Sequence, residues 1–166
     1  KEMKTMLTIC TILFCISYLY SCSNNKSLQC KFNTFKNTDF SEFQNTNILY
    51  RKGVYFIKYH DTTYVIKRHI FSKQIYYTKD VYNNRENTLP QKDITIIENI
   101  LKSFDKLNIQ SLSVDNKANI YISVPWANQC TYYFLKLSPK NTLIEIKKQY
   151  YQYYKDGWYI DKKCAE

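Results

Sequence analysis

Cysteine and histidine are the residues of this 166-residue chain best suited to metal binding or nucleophilic chemistry, and the sequence holds six cysteines and two histidines. Together they could ligate a metal ion or form a thiol nucleophile with its base. No two cysteines stand in a Cys-x-x-Cys spacing, however, and His60 and His69 do not form a His-x-x-x-His pair. We therefore expect no metal site, no cofactor and no catalytic residue that a local motif would mark.

The N-terminal segment has the charge and hydropathy of a signal peptide. Lys1 and Lys4 precede an apolar run over residues 6–20, which is shorter than the roughly 20 residues that a membrane-spanning helix needs. The run ends in Leu19-Tyr20-Ser21-Cys22. These residues resemble the lipobox of bacterial lipoproteins, with Leu at −3, a small residue at −1 and Cys at +1. Tyr20 departs from the small residue that is usual at −2.

The resemblance implies that residues 1–21 are a signal peptide and that Cys22 carries the lipid, palmitate among its acyl chains. Two chains hold a protein stably on a membrane, whereas one binds only marginally. The protein would then face the periplasm or exterior from the inner or outer membrane of a bacterial cell envelope. A cleaved signal with free secretion and an uncleaved anchor helix are the alternatives. Translation is expected to start at Met3 or Met6, unless the sequence is a fragment.

Three cysteines beyond the signal, Cys30, Cys130 and Cys164, are disulfide candidates, because the exterior of a cell membrane is oxidising. Loop entropy differs too little among the pairings to choose between them. In a strict meander, Cys130 and Cys164 would lie two strands apart, about 9.6 Å, whereas a disulfide needs about 4.4 to 6.8 Å between Cα atoms. Since both lie at element ends, where loops bend, this pairing stays open beside a bridge to Cys30 and no bridge.

The charge of the chain favours a protein partner or a membrane over nucleic acid. The net charge is +10, but the lysines are scattered and form no long basic run of the kind that binds nucleic acid. Scattered lysines of this kind are typical of a solvated, soluble surface, and attraction to an acidic protein or an anionic membrane is the alternative. With only two glycines, Gly53 and Gly157, Gly-rich phosphate-binding loops are excluded.

The pattern beyond the signal predicts one α+β domain over residues 48–166, after a tether and lead-in over residues 22–47 with a short helix near residues 39–43. Runs rich in β-branched and aromatic residues indicate strands. Ten such runs occur, two more than the strand order given next: residues 48–53, 54–59, 63–68, 70–77, 111–114, 119–124, 131–137, 142–148, 150–154 and 158–161. The expected architecture is an antiparallel sheet of about seven or eight strands, in the order βββ-α-βββββ, with one main helix packed on it.

The helix is predicted from hydrophobic periodicity. The apolar residues recur at i, i+3, i+4, i+7 and i+10, which is one helical face; they are Ile97, Ile100, Leu101, Phe104 and Leu107. Thr88 with Gln91 three residues later fits a capping box, and Pro90 would lie in the first turn.

Aromatic residues are concentrated around the last predicted hairpin, whose turn is Lys155-Asp156-Gly157. Because side chains alternate along a strand, both faces of this hairpin carry aromatics. One face can be core, and the other must either be covered by the helix or the lead-in or be exposed. An exposed face suits a partner, since tyrosine and tryptophan are favoured at binding surfaces. The candidate binding residues are Trp158, Tyr159, Tyr153, Tyr154 and Trp126.

Taken together, these features indicate a small membrane-anchored envelope lipoprotein that is not an enzyme and binds a macromolecular partner. It would act as an inhibitor, an immunity-type protein or an assembly accessory. An envelope hydrolase with an unrecognised site is one alternative. A binder of small ligands or glycans that uses the tyrosine and tryptophan hairpin is another.

Overall fold

The computed structural model describes residues 28–125 and 130–164, except the side chains of Glu145 and Cys164. The chain divides into two compact units, residues 1–37 and residues 38–166. In the first unit, helix α1 spans Leu28–Phe35. Its Phe32 and Phe35 are buried, with their rings edge to face at 5.5 Å. Across the described ranges, no helix combines the length and the apolar composition that crossing a membrane requires.

Over its described residues, 38–125 and 130–164, the second unit holds nine strands, two α-helices and a 3-10 helix over Ser41–Phe43. Before the main helix come β1 Asn47–Arg51, β2 Val54–Tyr59, β3 Thr62–Arg68 and β4 Ile75–Asp80. The main helix α2 spans Gln91–Leu107. The elements that follow are β5 Ser111–Val114, β6 Ile120–Pro125, β7 Cys130–Lys136, α3 Glu145–Lys148, β8 Gln152–Lys155 and β9 Trp158–Cys164.

All nine strands form one sheet, in the order β4-β3-β2-β1-β5-β6-β7-β9-β8, and all their pairings are antiparallel. The predicted α+β class with one main helix and one antiparallel sheet is confirmed. The sheet is slightly larger than expected, with four strands before α2 and five after it.

Three two-residue loops connect the tightest hairpins: Lys52-Gly53, His60-Asp61 and Asp156-Gly157. Both residues of each loop have positive φ, from 46° at His60 to 80° at Gly53. This geometry is typical of type I′ turns, whose twist matches that of the flanking strands. Glycine adopts it without steric cost, which explains why both glycines of the chain stand in these loops.

Helix α2 packs on one face of the sheet, as its periodicity predicts. All five predicted apolar residues are buried. The ring of Phe104 lies 6.3 Å from that of Tyr55 on β2, and the Tyr55 hydroxyl donates to Asp105 at 2.7 Å. The Tyr59 hydroxyl likewise donates to Asp93 at 3.2 Å. We call this the helix face of the sheet and the opposite one the second face.

The predicted capping box of α2 is wrong. The residue before the helix is Pro90, with ψ 149°, and no side chain caps the first turn. Pro90 can hold this place because its fixed φ suits the start of a helix and the missing N–H would have no partner there. At the other end, Asn108 closes the helix in the left-handed conformation, φ 53°, as asparagine often does.

Two predicted strands differ from the structure. Residues 69–74 form a turn, and the strand predicted over residues 70–77 runs instead over Ile75–Asp80. Residues 142–148, predicted to alternate between core and solvent, are extended and then form helix α3, with Ile144 and Ile146 exposed. The physical reason is that β9 occupies the edge of β7 along seven paired positions, so this segment has no strand to pair with there.

The pairing of β7 with β9 also shows that the strands after α2 do not follow a strict meander. Because β9 lies between β7 and β8, residues Cys130 and Cys164 are directly opposite each other in register rather than two strands apart. Opposed residues in antiparallel strands have Cα atoms about 4.5 to 5.5 Å apart, which is within the range of a disulfide.

The segment before β1 covers the end of the helix face at β9. Phe40 and Phe43 are buried, and the ring of Phe40 lies 6.2 Å from that of Trp158. A parallel bridge joins Gln44 to Val114, and the Gln44 side chain donates to the carbonyl of Asp115 at 2.8 Å. This part of the predicted lead-in is therefore packed into the second unit.

Candidate functional site

The two aromatic faces of the C-terminal hairpin, β8 and β9, have different surroundings. On the helix face, Trp158 is fully buried, against Phe40 and below the ammonium of Lys136, which lies 5.5 Å from its ring. Tyr154 is half-buried on the same face, with its ring 5.8 Å from that of Phe134. These two binding candidates thus belong to the core and its margin.

Two other candidates lie on the second face. Tyr153 on β8 is directly opposite Tyr159 on β9, and their rings meet edge to face at 5.9 Å. Tyr153 is 66% exposed and Tyr159 is half-buried. Their contact leaves one face of an exposed aromatic pair available at the edge of the sheet.

Neighbouring strands bring further tyrosines to this side. Register places Tyr121 of β6 and Tyr133 of β7 on the second face, beside Leu135 and Asp161 respectively. Tyr150 and Tyr151, which precede β8, complete the group. The set consists of six tyrosines and two lysines, and we call it the tyrosine–lysine surface: Tyr121, Tyr133, Tyr150, Tyr151, Tyr153, Tyr159, Lys147 and Lys163.

Both lysines of this surface lie over aromatic rings. The Nζ atom of Lys147 is 4.5 Å from the ring centre of Tyr121 and donates to its hydroxyl at 2.8 Å. The Nζ atom of Lys163 is 5.3 Å from the ring of Tyr133 and 5.6 Å from that of Tyr150. Such cation–π contacts hold an ammonium in place while its charge remains available to a partner.

The acidic group within the surface is Asp161. Its side chain is 11% exposed, and a carboxylate oxygen lies 3.6 Å from Nζ of Lys163. Burial, followed by the charge of Asp161, raises the pKa of Tyr151 to about 12. The Tyr151 phenol is therefore protonated at neutral pH and acts as a hydrogen-bond donor or apolar ring, while the exposed part of the surface is positive.

A depression of about 740 Å³ borders Tyr159, where the segment between β7 and α3 passes over the second face. Its other lining residues are apolar, amide, hydroxyl and ammonium side chains: Leu137, Asn141, Thr142, Leu143, Ile144 and Lys148. It is an open feature continuous with the tyrosine–lysine surface.

The histidines do not converge on a reactive group. His60 lies in the β2–β3 turn with its ring 4.1 Å from that of Tyr59, and His69 follows β3 with its ring 4.7 Å from that of Tyr76. They stand at opposite ends of a seven-residue strand, about 20 Å apart at 3.3 Å per residue. Within residues 28–125 and 130–164, no group of three or more His, Cys, Asp or Glu side chains could hold a metal ion.

Among the disulfide candidates, Cys130 is disulfide-bonded and Cys164 is its neighbour in register. Cys30 is an exposed thiol of α1. The lipid-attachment candidate Cys22 and the binding candidate Trp126 lie outside the described residues.

Sequence patterns missed Tyr121, Tyr133 and Lys147 as parts of this surface. A signal for the two tyrosines was present. Because side chains alternate along β6 and β7, Tyr121 and Tyr133 lie on the face of the sheet that does not hold their buried neighbours Ile122 and Phe134. What the pattern does not contain is which strands lie beside β9.

Comparison with models of known families, with curated proteins and with solved structures finds no match.

Proposed function

We propose that this chain is a lipoprotein of the bacterial cell envelope, anchored through acylated Cys22, whose folded domain binds the acidic face of a protein partner and has no catalytic role. The observation that carries the binding proposal is the tyrosine–lysine surface. Six tyrosines share one side of the sheet with two lysines, and Tyr150 and Tyr153 are 55% and 66% exposed.

The composition of this surface suits protein recognition. Tyrosine is enriched at protein interfaces because its ring contributes apolar area while its hydroxyl keeps a hydrogen bond. Aromatic anchors typically cost 2 kcal/mol or more when truncated to alanine. The tyrosines here are presented by a sheet and restrained by their neighbours, so little side-chain entropy is lost on binding.

The charge of the surface favours an acidic partner. Lys147 and Lys163 contribute two positive charges, and Asp161 offsets one of them. The chain as a whole carries +10. Charge complementarity of this kind speeds association and excludes basic partners more than it adds affinity, so binding should weaken and slow as salt is raised.

Lipid anchoring is tested through Cys22. The change Cys22→Ser should abolish labelling of the full chain by a fatty-acid analogue and release the domain from membranes. Membrane retention of both the unmodified chain and the variant, with no label on either, would favour an uncleaved anchor helix instead.

Partner binding is tested by capture from the native envelope. The full lipoprotein should retain a protein that Tyr153→Ala and Lys163→Glu each lose by at least about tenfold, as the loss of a single hot-spot contact implies. Tyr82→Ala is the matched control, since Tyr82 is 76% exposed but lies in the turn after β4. Equal retention by all three variants would exclude this surface as the binding site.

A glycan or other small ligand is the second candidate function. The depression beside Tyr159 favours it, because Asn141 and Thr142 share its lining with this aromatic residue, and polar and aromatic side chains together suit sugar hydroxyls and sugar faces. Saturable binding of envelope glycan fragments that Tyr159→Ala abolishes, with no protein captured, would replace the protein partner by this function.

A further inference from the structure

The guanidinium of Arg68, at the end of β3, is buried against helix α2. Its side chain is 3% exposed, and Nη2 donates to Oδ2 of Asp105 at 2.6 Å. The same nitrogen donates to the hydroxyl of Tyr55, whose proton goes to Asp105. The guanidinium also lies 4.3 Å above the ring of Tyr55. These contacts satisfy one of its three nitrogens and fix its orientation.

The other two nitrogens of Arg68, Nε and Nη1, are shielded from solvent, and no acceptor within the described ranges reaches them. Nearly all buried polar groups in folded proteins have a hydrogen-bond partner, and an unmade bond costs most when the group is charged. A side chain held this rigidly, with donors remaining, is suited to an acceptor that arrives from outside the chain.

Arg68 lines an open depression of about 660 Å³ that the turn between β3 and β4 forms. Polar and apolar groups share its walls: His69, Ile70, Phe71, Ser72, Gln74 and Tyr76. The imidazole of His69 is tilted against the ring of Tyr76 at 4.7 Å. Because Nε and Nη1 of Arg68 are shielded, a ligand in the depression reaches them only when the turn shifts. Ile70 and Phe71 are 77% and 97% exposed, so the turn can shift with little loss of packing.

We propose that this depression binds a free carboxylate attached to an apolar group. The carboxylate accepts a charge-assisted hydrogen bond from one of the two remaining donors of Arg68, Nε or Nη1. It cannot accept from both, because these two groups point to opposite sides of the guanidinium. The apolar group lies against Phe71 and the His69–Tyr76 pair. Two adjacent apolar side chains left in water at a turn are an unfavourable arrangement that such a ligand would relieve.

Local charge favours a singly charged carboxylate over a phosphate. Arg68 and Lys73 of the turn contribute two positive charges. Asp105 pairs with Arg68, and Glu98 accepts the backbone N–H of Ile75 at 2.7 Å, so the helix contributes two negative charges beside the depression. A doubly charged phosphate would be repelled by these two carboxylates, whereas a singly charged carboxylate can share the Arg68 guanidinium with Asp105.

The test uses the full chain in a neutral detergent and follows the backbone amides of residues 69–74 by NMR during titration. N-acetyl-phenylalanine should shift them saturably, and its carboxamide should bind at least about tenfold more weakly, because hydrogen bonds between charged partners are much the stronger. A branched alkyl acid, 4-methylpentanoate, tests whether the apolar group of the ligand must be aromatic. Equal binding indicates a general apolar contact, and weaker binding indicates stacking on the His69–Tyr76 pair; both support the site.

Variants locate the ligand. Arg68→Lys should abolish binding, and Phe71→Ser should weaken it at least about threefold without affecting the fold, since that side chain contacts little. Tyr82→Ser, an exposed aromatic at the other end of β4, should leave binding unchanged. If Arg68→Lys does not fold, the comparison of the acid with its carboxamide and the effect of Phe71→Ser test the proposal instead. Equal affinity for acid and amide, no saturable shift, or equal effects of Phe71→Ser and Tyr82→Ser would overturn the proposal, and a water on Arg68 would then be the simplest partner.

Discussion

Truncation of Trp158 tests whether the C-terminal hairpin has one structural and one binding face. Trp158 is fully buried, with Phe40 edge to face at 6.2 Å and the Lys136 ammonium 5.5 Å from its ring. Replacing a buried tryptophan by alanine costs about 3–5 kcal/mol, through lost burial and the cavity left behind. Since domains of this size are stable by about 5–15 kcal/mol, Trp158→Ala should lose at least about a fifth of the free energy of unfolding.

The assay is urea unfolding of the full chain in neutral detergent, followed by far-ultraviolet circular dichroism. With a slope of about 2 kcal/mol per molar urea, the midpoint of Trp158→Ala should fall by roughly 2 M. Tyr153→Ala is the matched control on the other face, and its free energy of unfolding should change by less than about 0.5 kcal/mol, as for other exposed positions. Equal midpoints for the two variants would refute the assignment of the faces.

Three further predictions concern the helix, the disulfide and acid stability. Ile100→Asp places a charge on the buried face of α2 and should cost several kcal/mol in urea unfolding, whereas Lys102→Asp on its exposed side should cost less than about 0.5 kcal/mol; equal costs would contradict the packing. Peptide mapping without reduction should recover Cys130 linked to Cys164, and recovery of both as alkylated thiols would contradict the pairing. Hydrogen bonds from Asn83 lower the pKa of Asp80. The Asp80 carboxylate therefore stabilises the fold above its unfolded-state pKa, and this contribution is lost as the pH falls through the folded-state pKa. Asp80→Asn should flatten the dependence of the urea midpoint on acid pH, and an unchanged dependence would contradict this role of Asp80.

Local sequence signals predicted the main helix and the hairpins β2–β3, β5–β6 and β8–β9 correctly, because their causes are local. The Asp156-Gly157 loop needs positive φ at both positions, which its residue types allow at small cost. The stripe from Ile97 to Leu107 can be buried on one side only by an α-helix. In each case the sequence within a dozen residues contains the physical constraint.

The errors arose where the outcome depends on distant strands. Residues 142–148 alternate like a strand, but a strand needs a neighbour, and β9 pairs with β7 instead. That choice leaves Ile144 and Ile146 exposed. It also brings Cys130 opposite Cys164, which a strict meander would have separated.

The tyrosine–lysine surface could be predicted only in part for the same reason. Tyr153 and Tyr159 were found because one hairpin holds both. Tyr121 and Tyr133 join them through the pairings β6–β7 and β7–β9, and Lys147 joins through a helix that the alternation pattern did not predict. Arg68 was not singled out, since its burial depends on contact with Asp105, which is far along the chain.

The most direct test of the central claim is photo-crosslinking in the living envelope. A benzophenone amino acid replaces Tyr153 in one strain and Tyr82 in another, both in the full chain with its own signal. The account predicts an adduct of defined mass from position 153 that is absent from position 82 and disappears when Lys163→Glu is added. Adducts of the same mass from both positions, or from neither, would contradict the claim that the tyrosine–lysine surface binds a protein partner.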